Sequence, residues 1–253
     1  MRRPLVFALL VAAAGGGPLG CEDKPAPVAA APSATATVDA TPTPPAKPTL
    51  PPTLAIDTSG ALVAGTRVSL DGAGAPDRLK TELAQHREFI EGKEVRCSAD
   101  RPVKPAYVAT MLDALGALGA VKALVRTSTR SDFPAEVGFV SLDRARSAPP
   151  CSVVAMITED RGSAVWSLKG GVAGKRGKGM AGPDLTLTGE TVTTHAKQCP
   201  DSHTLFVAGA SGVEWGLVYD LAASTKTLPK AYFTDVAVLA VPPVPGRPVD
   251  LGR

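Results

Sequence analysis

The sequence predicts an α+β fold of two tandem small αβ units, each a mixed sheet with two helices packed on one face. Two observations predict it. Short strand patterns alternate with amphipathic helical patterns, and their order is the same in both halves of the chain. The first 52 residues carry no such pattern, so about 200 residues remain, enough for one medium domain or two small ones.

The first unit is predicted at residues 53–130. TLAI and TRVSL predict short strands, and apolar spacing predicts a helix over 76–91. EVRCSA alternates, so we expect a strand with Val95, Cys97 and Ala99 directed inward.

The second half of this unit is predicted from the same kinds of pattern. An apolar stripe predicts a second helix over 105–118, and Gly119 is placed to end it. VKALVRT predicts the closing strand. Residues 131–150 then form a connector, with one extra strand predicted at EVGFVSL.

The second unit is predicted at residues 151–241. SVVAMIT and SAVWSLK predict a hairpin, and a helix over 189–199 is expected to stop at Pro200. HTLFVA, VEWGLVYDLAAS and YFTDVAVLAV predict a strand, a helix and a strand. A Pro-rich tail, 242–253, follows.

Internal similarity links the two units. An offset of 110 residues places Val103 on Val213 and Val108 on Val218. Agreement of element order and apolar spacing favours a duplicated unit.

The N-terminus is typical of an export signal. In residues 1–20, Arg2 and Arg3 precede a short apolar run, Leu5 to Ala14, and small residues follow. The run is half the length of about 20 residues that a spanning helix needs. A transmembrane helix is therefore not expected here.

Cys21 stands where this signal ends, directly after Pro18-Leu19-Gly20. The arrangement resembles the bacterial lipobox, in which the cysteine is lipidated and becomes the new N-terminus; here Leu lies two residues before the cysteine instead of three. The alternative is ordinary cleavage near Ala12–Ala14, with Cys21 incidental.

Residues 21–52 are rich in Pro, Ala and Thr and have no hydrophobic period. We expect a disordered tether between the lipid anchor and the folded body. These features predict a membrane-anchored lipoprotein of the cell envelope that faces the periplasm, with the choice of inner or outer membrane left open.

Charge and composition exclude one class of partner. The chain has 27 basic and 24 acidic residues, so loss of Arg2 and Arg3 with the signal leaves a net charge of +1. Aromatic residues make up 4% of the chain. A near-neutral chain with few stacking side chains predicts no nucleic-acid partner.

The stretch ADRPVKPAYVATMLDALGALGAVKALVRT resembles the periplasmic domain of the ExbD/TolR family. There, a strand ends in Ala-Asp, an apolar residue and an aromatic follow, and a helix with an apolar–Asp–x–Leu pattern leads to a Gly and a last strand. The positions that carry the pattern in the first unit are Asp100, Val103, Val108, Leu112, Asp113, Leu115 and Gly119. Pro105 replaces the usual aromatic. The second unit has Trp215 and Gly216 in place, and Ala210 instead of the Asp.

The resemblance implies protein–protein contact, dimerisation and contact with peptidoglycan, and it implies no enzyme activity and no cofactor. ExbD and TolR carry a transmembrane helix with an Asp, which this chain replaces with a lipoprotein-like signal. We therefore expect a non-enzymatic binding or scaffold module, accessory to an ExbB/TolQ-type energy-transduction or biopolymer transport system. The alternative is a peptidoglycan or cell-wall ligand-binding protein without motor partners.

Two glycine-containing motifs resemble cofactor-binding or catalytic signatures. Residues 177–182 match G-x-G-x-x-G, but Pro183 follows where a dinucleotide site needs a helix, so a mobile basic loop over 169–182 is the preferred interpretation. Ser211 misses the spacing of a nucleophile elbow by one position.

The histidines and cysteines allow several chemistries. His195, Cys199 and His203 are spaced four apart, but Pro200 breaks the helix between them, so no metal site is expected. Export would permit a disulfide, and Cys151–Cys199 is the first choice. The alternative is three buried thiols, with Cys97 in the core.

Two carboxylates bear on whether the protein is an enzyme. Asp100 and Asp113 fall at a strand end and on a helix surface, where solvation or capping accounts for them. A pocket that gathered Asp100, His86 and Tyr107 would favour an enzyme instead.

Overall fold

Two mixed β-sheets and the helices packed against them make up the α+β architecture of residues 50–129, 132–180 and 182–252, the part of the chain that a computed structural model describes. The predicted lipidation site Cys21, the signal and nearly all of the tether lie outside these residues.

The first sheet has the strand order β3-β2-β1-β4-β5-β6. Its elements are β1 (Leu54–Asp57), β2 (Gly60–Val63), β3 (Thr66–Val68), α1 (Ala75–Ala84), β4 (Glu94–Ala99), α2 (Pro105–Ala117), β5 (Lys122–Arg126) and β6 (Glu136–Phe139). β1, β4 and β5 are parallel, whereas β2, β3 and β6 pair antiparallel with their neighbours. β2 was not predicted.

Period-2 alternation gives this sheet one buried face. Val95, Cys97 and Ala99 of β4 are buried, as predicted, and the residues between them are exposed. α1 and α2 contact each other and this sheet, so both helices cover its buried face. Gly119 has a φ of +88°, the left-handed conformation that ends a helix without strain on a side chain.

The first predicted helix is too long. α1 ends at Ala84, and Arg87–Phe89 form one turn of 3₁₀ helix instead. Ile90 is fully buried, and the Gly92 N–H donates to the Gly119 carbonyl, 2.9 Å away. This tertiary contact redirects the chain after α1.

The second sheet has the order β13-β12-β7-β8-β9. The elements of this half are α3 (Leu142–Ala145) in the connector, β7 (Val153–Ile157), β8 (Ser163–Ser167), β9 (Gly174–Arg176), β10 (Lys178–Gly179), β11 (Gly182–Pro183), α4 (Leu185–Lys197), β12 (Thr204–Gly209), α5 (Trp215–Ser224) and β13 (Asp235–Val238).

The two halves repeat one topology. In each, three strands paired antiparallel in succession are followed by a helix, a central parallel strand, a second helix and another parallel strand beside the central one. The first sheet adds β6 beyond that strand, and the second repeat adds the β10–β11 hairpin before α4. β4 and β12, and α2 and α5, begin 110 residues apart, the offset that the apolar spacing indicated. We call the two halves the first and second repeats.

Two predictions for the second repeat were wrong in detail. α4 begins at Leu185, four residues early, because the Asp184 side chain caps it by accepting the Leu187 N–H at 3.0 Å. The expected mobile loop 169–182 contains β9, which pairs with β8, and a short hairpin of β10 and β11.

The second sheet is buried on both faces. α4 and α5 contact one face, and the C-terminal tail packs at the other, where the Trp166 indole N–H donates to the Arg247 carbonyl at 3.0 Å. Tail and sheet are also joined by the Val249 N–H, which donates to the Leu168 carbonyl at 2.9 Å.

One strand edge links the two sheets. Val140, just after β6, forms a parallel bridge with Ala237 of β13, and its N–H donates to the Val236 carbonyl at 2.8 Å. Within the described ranges, no helix has both the length and the apolar character needed to cross a bilayer.

Candidate functional site

The loop that joins β4 to α2 carries the first group of pattern residues. The Asp100 N–H donates to the Ile56 carbonyl at 3.0 Å, and the Val103 N–H donates to the Asp100 carbonyl at 3.3 Å. Val103 is fully buried, whereas the Asp100 side chain is exposed. Pro105 occupies the first turn of α2, where its missing N–H costs nothing.

The same two hydrogen bonds recur in the second repeat. The Ala210 N–H donates to the Ile157 carbonyl at 2.8 Å, and the Val213 N–H donates to the Ala210 carbonyl at 3.0 Å. Ala210 and Val213 lie 110 residues after Asp100 and Val103. Backbone geometry is therefore repeated even where the side chain changes from Asp to Ala.

These two loops meet at the start of α5. The Trp215 N–H donates to the Val103 carbonyl at 2.7 Å, and the Gly216 N–H donates to the Arg101 carbonyl at 2.8 Å. Free N–H groups of a helix N-terminus need partners, and here the first repeat supplies them. We call this contact the repeat junction.

Gly216 is needed for close approach at the junction. A Cβ on Gly216 would lie 2.8 Å from the guanidinium carbon of Arg101 and 2.9 Å from its Cβ. The missing side chain lets Arg101 pass across the first turn of α5.

Arg101 reaches a carboxylate across the junction. Its two terminal nitrogens donate to the two Asp220 oxygens at 3.1 and 2.7 Å, and the Asp220 side chain is 2% exposed. The Thr129 hydroxyl donates to the same carboxylate at 2.9 Å. Because Asp220 accepts these hydrogen bonds, it raises the pKa of Arg101 above its ordinary value.

Trp215 anchors the same contact from the apolar side. Its indole N–H donates to the Thr127 hydroxyl at 2.9 Å, and that hydroxyl donates to the Ala99 carbonyl at 3.0 Å. The Trp215 ring packs against Tyr219 and Phe139, with ring centroids 5.8 and 5.5 Å away.

Tyr219 completes the aromatic cluster. Its hydroxyl donates to the Pro134 carbonyl at 3.2 Å. Burial raises the pKa of Tyr219 well above its ordinary value, so the phenol stays protonated and acts as a donor that ties α5 to the first sheet.

A groove of about 320 Å³ opens beside the junction. The β4–α2 loop, the β12–α5 loop and the start of the tail line it, and the two charged side chains at its walls are Lys104 and Glu214, both exposed. Apart from these and Ser211, whose hydroxyl has no histidine beside it in the groove lining, the walls are backbone and apolar groups. Such a groove suits contact with a polypeptide better than acid–base chemistry.

Other pattern residues have structural partners. Asp113 lies on α2 and accepts the Leu142 N–H at 2.9 Å, which caps the connector helix α3. Burial raises the pKa of Asp113 despite this hydrogen bond. Asp100 and Asp113 thus serve backbone geometry and capping.

Tyr107, one of the three residues that would favour an enzyme, has another partner. The Tyr107 hydroxyl donates to the Asp71 carboxylate at 2.5 Å and so lowers the pKa of Asp71. In the described part of the chain, no hydrogen bond connects Tyr107 with Asp100 or His86.

Cys151 and Cys199 form a disulfide with a Cα–Cα distance of 5.6 Å, the pairing placed first from the sequence. Cys97 is a buried thiol, and burial raises its pKa to about 12. The disulfide removes Cys199 as a ligand of His195 and His203. Among the residues that the structure describes, no three His, Cys, Asp or Glu side chains are placed to hold a metal.

Sequence reasoning missed Arg101, Asp220, Thr127 and Thr129. These four residues are spread over both repeats and share no local spacing. One signal was available: Asp220 interrupts the otherwise apolar stretch LVYDLAA, and a carboxylate on a buried helix face needs a cationic partner.

No protein-family model matches the chain, and no curated protein is significantly similar to it. The class of protein that fold and site define is therefore an α+β protein with two mixed sheets, joined at a buried, hydrogen-bonded junction.

Proposed function

We propose that the chain is a lipid-anchored, periplasm-facing envelope protein with tandem ExbD/TolR-like domains, acting as a non-enzymatic binding or scaffold module. In this proposal Cys21 carries the lipid, residues 22–52 span the distance to the body, and the body contacts an envelope protein of an ExbB/TolQ-type system.

One observation carries the proposal. The pattern positions Val103, Trp215 and Gly216 take part in backbone hydrogen bonds between repeats, so the loops that resemble the family are used here for polypeptide contact. The repeated strand order is also what two copies of one ancestral domain would have. The Cys151–Cys199 disulfide is compatible with export to an oxidising compartment.

The anchor is tested by fractionation of cells that express the full chain. We expect the protein in the membrane fraction and Cys21→Ala in the soluble periplasmic fraction, because one cysteine would carry the acyl groups. The matched control is Cys97→Ala, which removes a thiol from the body and should stay with the membrane. Equal membrane retention of Cys21→Ala would rule out this anchor.

The partner is tested by site-specific crosslinking from the groove wall. A photoreactive residue at Glu214, exposed at the groove, should crosslink to an ExbB/TolQ-type channel subunit. A photoreactive residue at the exposed Lys80 of α1 should not. Crosslinks from neither position, together with sedimentation of the full chain with purified sacculi, would favour the peptidoglycan-binding alternative.

A further inference from the structure

A pocket of about 310 Å³ lies against the disulfide. Cys151, Lys169, Val172, His195 and Gln198 are among the residues that line it, and we call it the disulfide pocket. Its lining includes no carboxylate. The proposed binding role does not use this pocket.

The two sulfurs differ in access. Cys199 follows α4 and is 1% exposed, whereas Cys151 is only partly buried and lines the pocket. Thiol–disulfide exchange needs a direct approach of the incoming sulfur to the attacked sulfur. Access therefore selects Cys151 Sγ as the point of attack.

Lys169 brings a positive charge to the pocket that Cys151 lines. Its N–H donates to the carbonyl of Pro150, the residue before Cys151, at 2.8 Å, and its exposed side chain lines the same pocket. Burial lowers the pKa of His195 and so disfavours its charged form, which leaves Lys169 as the cationic side chain of the pocket. A nearby ammonium attracts a thiolate and stabilises the negative charge spread over three sulfurs during exchange.

We propose that the disulfide pocket is a docking site for an external thiolate, which opens the Cys151–Cys199 bond by attack on Cys151 Sγ. A bond forms between the incoming sulfur and Cys151 Sγ, the Cys151–Cys199 bond breaks, and Cys199 leaves as a thiolate that takes a proton from solvent. A second thiol, from the same dithiol donor or from a second monothiol molecule, then attacks the donor sulfur of this mixed disulfide, and Cys151 leaves as a thiolate that takes a proton from solvent. The chain gains two electrons and two protons, and the two donor thiols become a disulfide.

Reduction would loosen one repeat selectively. The bond joins Cys151, just before β7, to Cys199, just after α4, and the two cysteines are 48 residues apart. α4 covers one face of the second sheet. The first repeat contains no part of this link. The redox state of the chain therefore sets the stability of the second repeat and of the junction that depends on it.

The attack site is tested on the full chain with two donors: reduced glutathione, and a thioredoxin-type protein whose resolving cysteine is replaced by serine so that the mixed disulfide persists. Peptide mass spectrometry scores each cysteine separately, including Cys21 and Cys97. We expect the adduct on Cys151 in at least about tenfold excess over Cys199 with one donor or both, and the faster donor identifies the source of the thiolate. Equal adducts, or an excess on Cys199, would overturn the assignment.

The charge effect is tested with a matched pair of variants. Lys169→Gln should slow exchange about threefold or more at low salt, and Lys80→Gln, which removes the same charge from an exposed position on α1 of the first repeat, should change the rate far less. The rate should rise linearly with thiol concentration. An exchange rate that is independent of thiol concentration and equal to the rate of global unfolding would contradict a preformed pocket. Equal exchange rates for the two variants would contradict the role of Lys169.

Discussion

The central strands β4 and β12 occupy the same place in the two repeats, yet their surroundings differ. In β4 every second residue is exposed, whereas in β12 all residues after Thr204 are buried. Arg96, with 79% of its side chain exposed, corresponds to Phe206, which is fully buried. The same backbone position thus accepts a charge in one repeat and an aromatic ring in the other.

The cause lies outside the repeats themselves. The Pro-rich tail packs at the outer face of the second sheet, with Pro242, Pro243 and Pro245 beside Met156. Among the residues that the structure describes, no segment covers Arg96. The two repeats share a topology, and the segment packed on each sheet decides whether its outer face is apolar.

The largest expected difference between the repeats is at this position. Phe206→Ala should lower the free energy of unfolding by about 3–5 kcal/mol, because it removes a fully buried ring. Arg96→Ala, the matched first-repeat change, should alter it by less than about 0.5 kcal/mol. Urea unfolding of both variants measures this, and equal losses would mean that the faces do not differ as described.

The second largest loss of stability is expected at the repeat junction, where Asp220 of the second repeat binds the first repeat and the corresponding Thr110 has no such partner. Asp220→Ala should cost about 3 kcal/mol, because Arg101 and the Thr129 hydroxyl lose their shared acceptor. The control is Thr110→Ala at the corresponding first-repeat position, where the hydroxyl donates only to the Ala106 carbonyl within α2. Thermal unfolding should show a clear loss for the first and a change below about 0.5 kcal/mol for the second.

A smaller effect is expected at Gly216, where a substitution that usually stabilises a helix should destabilise this protein. An exposed helical Gly→Ala change usually stabilises by about 1 kcal/mol, but Gly216→Ala should destabilise by about 1–2 kcal/mol because its Cβ meets Arg101. In the first repeat, Ala106 holds this place, and Ala106→Gly should cost about 1 kcal/mol through helix propensity alone. Stabilisation by Gly216→Ala in chemical unfolding would contradict the close approach.

The smallest expected effect concerns Asp113, whose counterpart in the second repeat is Ala223. Burial raises the pKa of Asp113 above its ordinary value of 3.8, so the protonated form is favoured in the fold. The contribution of Asp113 to stability therefore falls as the pH rises through its pKa. Asp113→Asn keeps an oxygen that accepts the Leu142 N–H. It should remove that pH dependence and change stability at pH 7 by less than about 1 kcal/mol. Unfolding curves from pH 3 to 7 measure it, and a larger loss at pH 7 would show that the charge itself is needed.

Local pattern predicted most of the elements. β4 and α2 were placed to within one residue, because alternation and helical spacing are carried by adjacent residues. β2 was missed since GALV is short and directly follows β1. The start of α4 was missed because its first turn is rich in Thr, which has low helix propensity.

The candidate site could be predicted only in part. The loops around Val103 and Val213 followed from internal similarity. The Arg101–Asp220 pair joins residues 119 positions apart, and no local spacing encodes a partner at that distance. The disulfide was chosen correctly among three cysteines because two of them lie within one predicted unit.

The connector between Val140 and Ser152 joins the repeats by a short covalent path. Two separate chains would associate only at a sufficient concentration. Two repeats in one chain have an effective concentration relative to each other in the millimolar range or above. The melting temperature of this assembly should therefore not change on dilution, and each half is free to mutate without regard to how many molecules the cell makes.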